Sequence, residues 1–192
     1  PAGTVFNTTV DDVTYQFSTI EAFTKSNTGN SIPFVGVDIY EGTFITTRYT
    51  VDSSDIDQRF LLTDNRADTS TLIVKVQTSS TDSTSTTFTE ATDITQVTSG
   101  SNVFFLQEVE AGLFEVYFGD GVIGTALSDD NIVILTYVVS NKSAANGASL
   151  FTNVATIASV TDISVATAAT ASAGSEPESL SSIKYNAPLD FA

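Results

Sequence analysis

The sequence contains no cysteine, histidine, methionine or tryptophan. Without cysteine there is no disulfide framework and no thiol chemistry. Without histidine the commonest general base and metal ligand is missing. No apolar run is long enough to cross a bilayer as a helix, and no signal peptide is visible. Basic residues are scarce as well: 7 Lys and Arg stand against 23 Asp and Glu, a net charge of −16. Nucleic-acid binding draws on phosphate neutralisation by Lys and Arg, so this balance argues against it. It argues equally against attraction to an anionic membrane. An acidic surface of this kind keeps a protein hydrated and resists non-specific association. The absence of Met and the opening on Pro1 point to an excised or processed part of a longer polypeptide.

What is present is strand chemistry. Thr and Ser are abundant, and Val, Ile and Phe supply most of the large apolar side chains, residues that suit a pleated, half-buried surface. A hydrophobic content of 41% is ordinary for a folded chain of 192 residues. Short apolar runs separated by turn residues predict an all-β fold. Val13, Tyr15 and Phe17 alternate with polar residues after a turn at Asp11-Asp12. Further strands are expected at Phe34 to Tyr40, Phe44 to Val51, Arg59 to Leu62, Leu72 to Val76, Val103 to Leu106, Leu113 to Phe118 and Ile132 to Val139. The last is apolar on both faces, as in a central strand. One or two small-residue strands are expected between Val154 and Ala169. Asn27 to Asn30 reads as a loop, and Thr78 to Thr87, almost wholly Ser, Thr and Asp, as a hairpin tip or loop.

The character changes near the end. Ser175-Glu176-Pro177-Glu178 has the form of a helix start, with Ser as cap, Pro in the first turn and Glu three residues on. A short helix is therefore expected from about Glu176, with Leu180 and Ile183 on one side and Pro188 interrupting it. Two β-sandwich-like subdomains are expected, one from the opening and closing segments and one from the strand- and turn-rich stretch that they flank. One combines 1–40 with 140–173, the second spans 41–139, and 174–192 begins a helical connector.

Chemistry-bearing patterns are few. No Gly-x-Ser-x-Gly elbow is present, and no nucleophile has a base partner, so no catalytic site and no cofactor are expected. Asp11-Asp12, Asp129-Asp130 and the Glu108/Glu110 pair read as solvated turn or strand carboxylates rather than a glycosidase pair. Asp52, Asp55 and Asp57 share one loop and carry the hard oxygen ligands that Ca²⁺ prefers, but their spacing is not that of an EF-hand; an acidic turn is the simpler reading. Gly119-Asp120-Gly121, with Gly124 close by, lacks the Lys-Ser/Thr of a phosphate loop and is read as a structural turn, as is Asn146-Gly147.

Several segments resemble the baseplate J-like family of contractile phage tails, and within it the large wedge proteins of T-even-type phages. They are Pro1-Ala2-Gly3-Thr4 before Val5-Phe6, Phe114 to Gly124 around Gly-Asp-Gly, Tyr137 to Ala148 ending in Asn-Gly, and Gly174 to Pro188. Arg48 to Val51, Gln58-Arg59-Phe60 and Ala67 to Leu72 add to the resemblance. It implies a structural wedge subunit of the virion tail baseplate, assembled in the host cytoplasm. Such a subunit contacts other wedge subunits, forms a homodimer as the full-length protein, and joins neighbouring wedges into a ring. Glu176, Pro177, Leu180, Ile183 and Pro188 are then candidates for the connector or interface. The alternative is a virion-associated carbohydrate-binding or adhesin module, in which Tyr15, Tyr40, Tyr49 and Tyr117 would replace the missing Trp platforms.

Overall fold

The computed structural model describes residues 1–26, 29, 31–154 and 156–190. Asn27, Thr28 and Asn30 of the expected loop lie outside the described residues, as do the side chains of Leu180 and Pro188.

The chain is all-β with one short helix at its end. Its strands are β1 (Val5–Val10), β2 (Val13–Ser18), β3 (Tyr40–Glu41), β4 (Thr43–Thr50), β5 (Phe60–Leu62), β6 (Ala67–Gln77), β7 (Ser85–Glu90), β8 (Val103–Glu108), β9 (Phe114–Phe118), β10 (Ile132–Val139) and β11 (Thr152–Asn153), followed by α1 (Leu180–Asp190). They form two sheets: a four-stranded one in the order β11-β1-β2-β3, and a seven-stranded one in the order β4-β10-β6-β7-β8-β9-β5. Every strand pair is antiparallel except β7 with β8.

The larger sheet curls until its two edge strands, β4 and β5, face one another. Side chains close the seam between them. The Tyr49 hydroxyl donates to the Leu61 carbonyl, the Tyr49 and Phe60 rings meet edge to face at 5.7 Å, and Gln58 Nε2 donates to the Thr50 carbonyl at 3.1 Å. The enclosed core comprises twelve buried side chains, among them Phe60, Leu62, Val74, Phe88, Phe104, Val116, Val133, Leu135 and Tyr137. Alternation explains this: Val133, Leu135 and Tyr137 point inward from β10 and are fully buried, while Ile132, Ile134 and Thr136 line its half-buried outer face. The β10–β6 register shifts between Thr136 and Val138. There the Thr71 hydroxyl accepts the Val138 N–H at 2.9 Å and donates to the Asp68 carbonyl at 2.7 Å, so the bulge leaves that amide satisfied.

The smaller sheet starts with a two-residue turn. Asp11 and Asp12 both have positive φ, 49° and 63°, the backbone that joins tight antiparallel strands. The sheets meet at Gly42, whose N–H donates to the Gln16 carbonyl at 2.8 Å. A Cβ at Gly42 would fall 2.2 Å from the Val139 carbonyl oxygen, and φ is 124°, so only glycine fits. Beside it the Glu41 carboxylate accepts both the backbone N–H and the side-chain amide of Asn141, each at 2.7 Å.

Three expectations are corrected. Phe34 to Ile39 is not a strand; pairing begins only at Tyr40. Pro33 precedes this stretch and Gly36 takes φ 68° within it, both unsuited to a ladder. Between Val154 and Ala169 there is no strand among the described residues, only an isolated bridge between Ile157 and Val160. Finally, α1 starts at Leu180 rather than Glu176 and continues through Pro188. Ser179 occupies the capping position: its hydroxyl accepts the Ser182 N–H at 3.2 Å and its carbonyl the Ile183 N–H at 2.9 Å. Pro188 lies two residues before the end of α1 and, having no N–H, donates no intrahelical bond there.

Candidate interaction surface

The residues singled out in the sequence fall in separate places. The loop holding Asp52, Asp55 and Asp57 is exposed, and its carboxylates face their own backbone. Asp52 Oδ1 accepts the N–H and hydroxyl of Ser54 at 2.9 and 2.6 Å, and Asp55 Oδ1 accepts the Asp57 N–H at 3.2 Å. The bonds to Ser54 hold the Asp52 carboxyl below the usual range. Among the described residues no group of three potential ligands converges as a metal site requires.

Gly119, Asp120, Gly121 and Gly124 build the first part of a long excursion between β9 and β10. Asp120 Oδ1 accepts the N–H groups of Val122 and Ile123 at 2.9 and 3.0 Å, and these amides lower its pKa. The Gly124 N–H donates to the Thr98 carbonyl at 3.1 Å. The turn therefore folds back on the strand-less residues before β8 instead of joining adjacent strands as a tight hairpin. A Cβ at Gly119 would sit 2.1 Å from the Ile123 carbonyl oxygen, which explains the first glycine.

Asn146, Gly147 and Glu176 come together, joined by residues the sequence did not single out. Asn146 Nδ2 donates to the Gly174 carbonyl at 2.8 Å, and its Oδ1 accepts the Gly174 N–H at 3.1 Å. The Gly147 N–H donates to the Ala171 carbonyl, and the Ala171 N–H to the Ala148 carbonyl, both at 2.8 Å. The Glu176 carboxylate accepts the Ser143 hydroxyl at 3.2 Å and pairs with Lys142 Nζ at 3.5 Å. Gly174 is so close to the 142–146 turn that a Cβ there would lie 2.2 Å from the Lys142 carbonyl oxygen. This clasp fixes the chain a few residues before α1, and it explains the late helix start: Gly174 and Glu176 are engaged elsewhere. The contact that joins Lys142 and Ser143 to Gly174 and Glu176 carries no local sequence signal, because it links turns about thirty residues apart.

Outside the clasp, long irregular segments carry exposed apolar side chains: Phe23, Ile32, Phe34 and Val35 after β2, then Leu150, Val154, Val160 and Val165 after β10. Val35 is 88% and Leu150 82% exposed. On the outer face of β8 and β9, Phe105 and Tyr117 stack at 5.2 Å, and the Arg59 guanidinium lies 4.7 Å above the Tyr117 ring. These exposed apolar side chains are interspersed with polar residues along irregular chain.

The model of the third domain of the bacteriophage baseplate wedge protein gp6 matches residues 45–163, which is 119 of the 192 residues. The chain belongs to the baseplate wedge family. No curated protein matches it. The match covers the seven-stranded sheet from Ile45, the third residue of β4, to β10, together with β11 and the irregular segment after it. Most of the four-stranded sheet and α1 lie outside. Membership makes this a structural protein of the phage virion whose role in tail assembly rests on contacts with other baseplate subunits.

Proposed function

We propose that this wedge-family chain joins neighbouring wedges into a ring by protein–protein contacts, and that the full-length protein does so as a homodimer without binding nucleic acid or membrane. The wedge-domain match over residues 45–163 carries this reading. Two features support it. The curled sheet, sealed along its seam, is a stiff support. The exposed apolar side chains Phe23, Ile32, Phe34, Val35, Leu150 and Val154 are the kind of surface that a specific interface of more than about 1,000 Å² buries. In this reading 1–40 with 140–173 and 41–139 act as two subdomains. Residues 174–192, with Glu176, Pro177, Leu180, Ile183 and Pro188, carry the connector towards the neighbouring subunit. Assembly is completed in the host cytoplasm before the baseplate is built into the virion.

The test is reconstitution with the other wedge subunits of the same phage, followed by sedimentation and electron microscopy. Co-sedimentation and ring formation support the proposal; a subunit left in the monomer fraction while rings form without it would overturn it.

The stacked Phe105–Tyr117 pair, flanked by Arg59 and Glu115, favours a second reading: a carbohydrate-binding or adhesin module of the virion. Sugar rings pack on such aromatic faces. A glycan array on wild type and Tyr117→Ala separates the two, since only this second reading requires hits that the substitution abolishes.

A further inference from the structure

Asn146-Gly147 is the sole Asn-Gly pair in the sequence, and it lies inside the clasp. Asn-Gly is the dipeptide most prone to lose its side-chain amide, because glycine leaves the following nitrogen unhindered. In that reaction the Gly147 nitrogen attacks Cγ of Asn146. A ring C–N bond forms, the Cγ–Nδ2 bond breaks, and ammonia leaves with the proton from Gly147. Water then opens the ring to aspartate or isoaspartate. The structure occupies every group this needs. The Gly147 N–H is held by the Ala171 carbonyl, and both ends of the Asn146 amide are held by the backbone of Gly174. The side chain is thereby tied to Gly174 and away from its own following nitrogen.

We propose that Asn146 is a modification site guarded by the 171–176 segment: it keeps its amide while the clasp is closed and is deamidated once that segment is displaced. The product cannot restore the clasp. A carboxylate at 146 has no N–H to offer the Gly174 carbonyl and would place acceptor against acceptor. It would also bring another negative charge beside Glu176, in a chain already at −16. Isoaspartate would further insert a methylene into the backbone beside Gly147. The clasp is therefore a one-way latch: cohesive until first opened, then unable to close. The inference is independent of which partner the wedge domain meets.

The experiment follows conversion of Asn146 by peptide mapping and mass spectrometry during incubation at mildly alkaline pH. The samples are wild type, Gly174→Ala, Glu176→Gln and a synthetic peptide spanning 142–150 as the unrestrained rate. Wild type is expected to deamidate at least about ten-fold more slowly than the peptide, with Glu176→Gln intermediate and Gly174→Ala near the peptide rate, because exchange through local opening scales with the open fraction. If Gly174→Ala does not fold, the exposed Glu176→Gln and the peptide alone decide. Wild type reacting at the peptide rate, or Glu176→Gln no faster than wild type, would overturn the guarding role. Asn146→Asp supplies the product: its amides at Gly147, Ala171 and Gly174 should lose hydrogen-exchange protection, and unchanged protection would overturn the one-way latch.

Discussion

The two sheets hold themselves together by different means. The seven-stranded sheet encloses twelve buried side chains and has ring against ring across its interior: Tyr49 on Phe60, Phe60 on Phe118, Phe118 on Phe88. Among the described residues, the cluster of the four-stranded sheet buries Phe17, Ala145 and Ala148, with half-buried neighbours such as Phe6, Tyr15 and Phe151. Much of what it lacks in apolar area it supplies in hydrogen bonds. Thr19 Oγ1 donates to the Pro1 carbonyl at 2.8 Å and accepts the Thr4 N–H at 3.1 Å, and Glu41 holds Asn141. Hydrogen bonds exchanged with water add about 1 kcal/mol each, whereas a fully buried Leu or Phe adds about 1.5–3. The larger sheet is thus the better packed, and the smaller one, joined to it at Gly42, relies more on polar contacts.

Breaking the core tests this first. Leu135→Ala empties a fully buried position and should cost about 4 kcal/mol, lowering the urea midpoint of the whole molecule. Phe17→Ala should cost about 3 kcal/mol, with hydrogen exchange accelerated in β1, β2 and β11 while β6 and β10 stay protected. Uniform acceleration would show that the sheets unfold as one unit. Gly42→Ala places a Cβ against the Val139 carbonyl and should cost about 2 kcal/mol. Its exchange signature should spread from the joint into both sheets. Tyr137→Phe removes the hydroxyl that accepts the Thr63 N–H at 3.1 Å. The loss should be about 1–2 kcal/mol by urea denaturation, confined to the seam beside β5.

The smallest effect is that of acid. The carboxyls of Asp64, held by Arg66, and of Asp120, held by the Ile123 and Val122 amides, have pKa values below the ordinary one. A carboxyl depressed in the folded state contributes stability that is fully present above its unfolded value, about 4, and is lost as pH falls through the folded one. Urea midpoints should therefore be flat at neutral pH and decline below about pH 4. Asp120→Asn, which keeps an oxygen for the two amides but does not titrate, should make that decline slightly shallower.

How far the sequence reveals this division depends on the element. β10 is legible because Val133, Leu135 and Tyr137 alternate with Ile132 and Ile134, and period-two patterning is a local signal. β2 is legible for the same reason, and Asp11-Asp12 marks its turn. Phe34 to Tyr40 carries equal apolar content, yet a strand also needs an edge to pair with, and β2 accepts only Tyr40 and Glu41. The late helix start was hidden because it depends on Gly174 and Glu176 being claimed by residues 142–146. Gly42 carries no local sign of its role; only the distance to the Val139 carbonyl shows why glycine is needed there.

The pairing of β1 with β11, Phe6 against Asn153, and of β4 with β10, Ile45 against Tyr137, has a consequence for the order in which the protein is made. Chain synthesis runs from the amino end, so β1 waits until Asn153 has been made before its outer neighbour exists. β10, the strand that unites β4 with β6, is the last strand of its sheet to leave the ribosome. Until it does, β4 and β6 stand as unpaired edges with their apolar sides open. Such long-range pairing delays closure and leaves an intermediate that sticks to its own kind. The strongly acidic character of the chain finds a use there, holding unfinished copies apart until Val139 has been added.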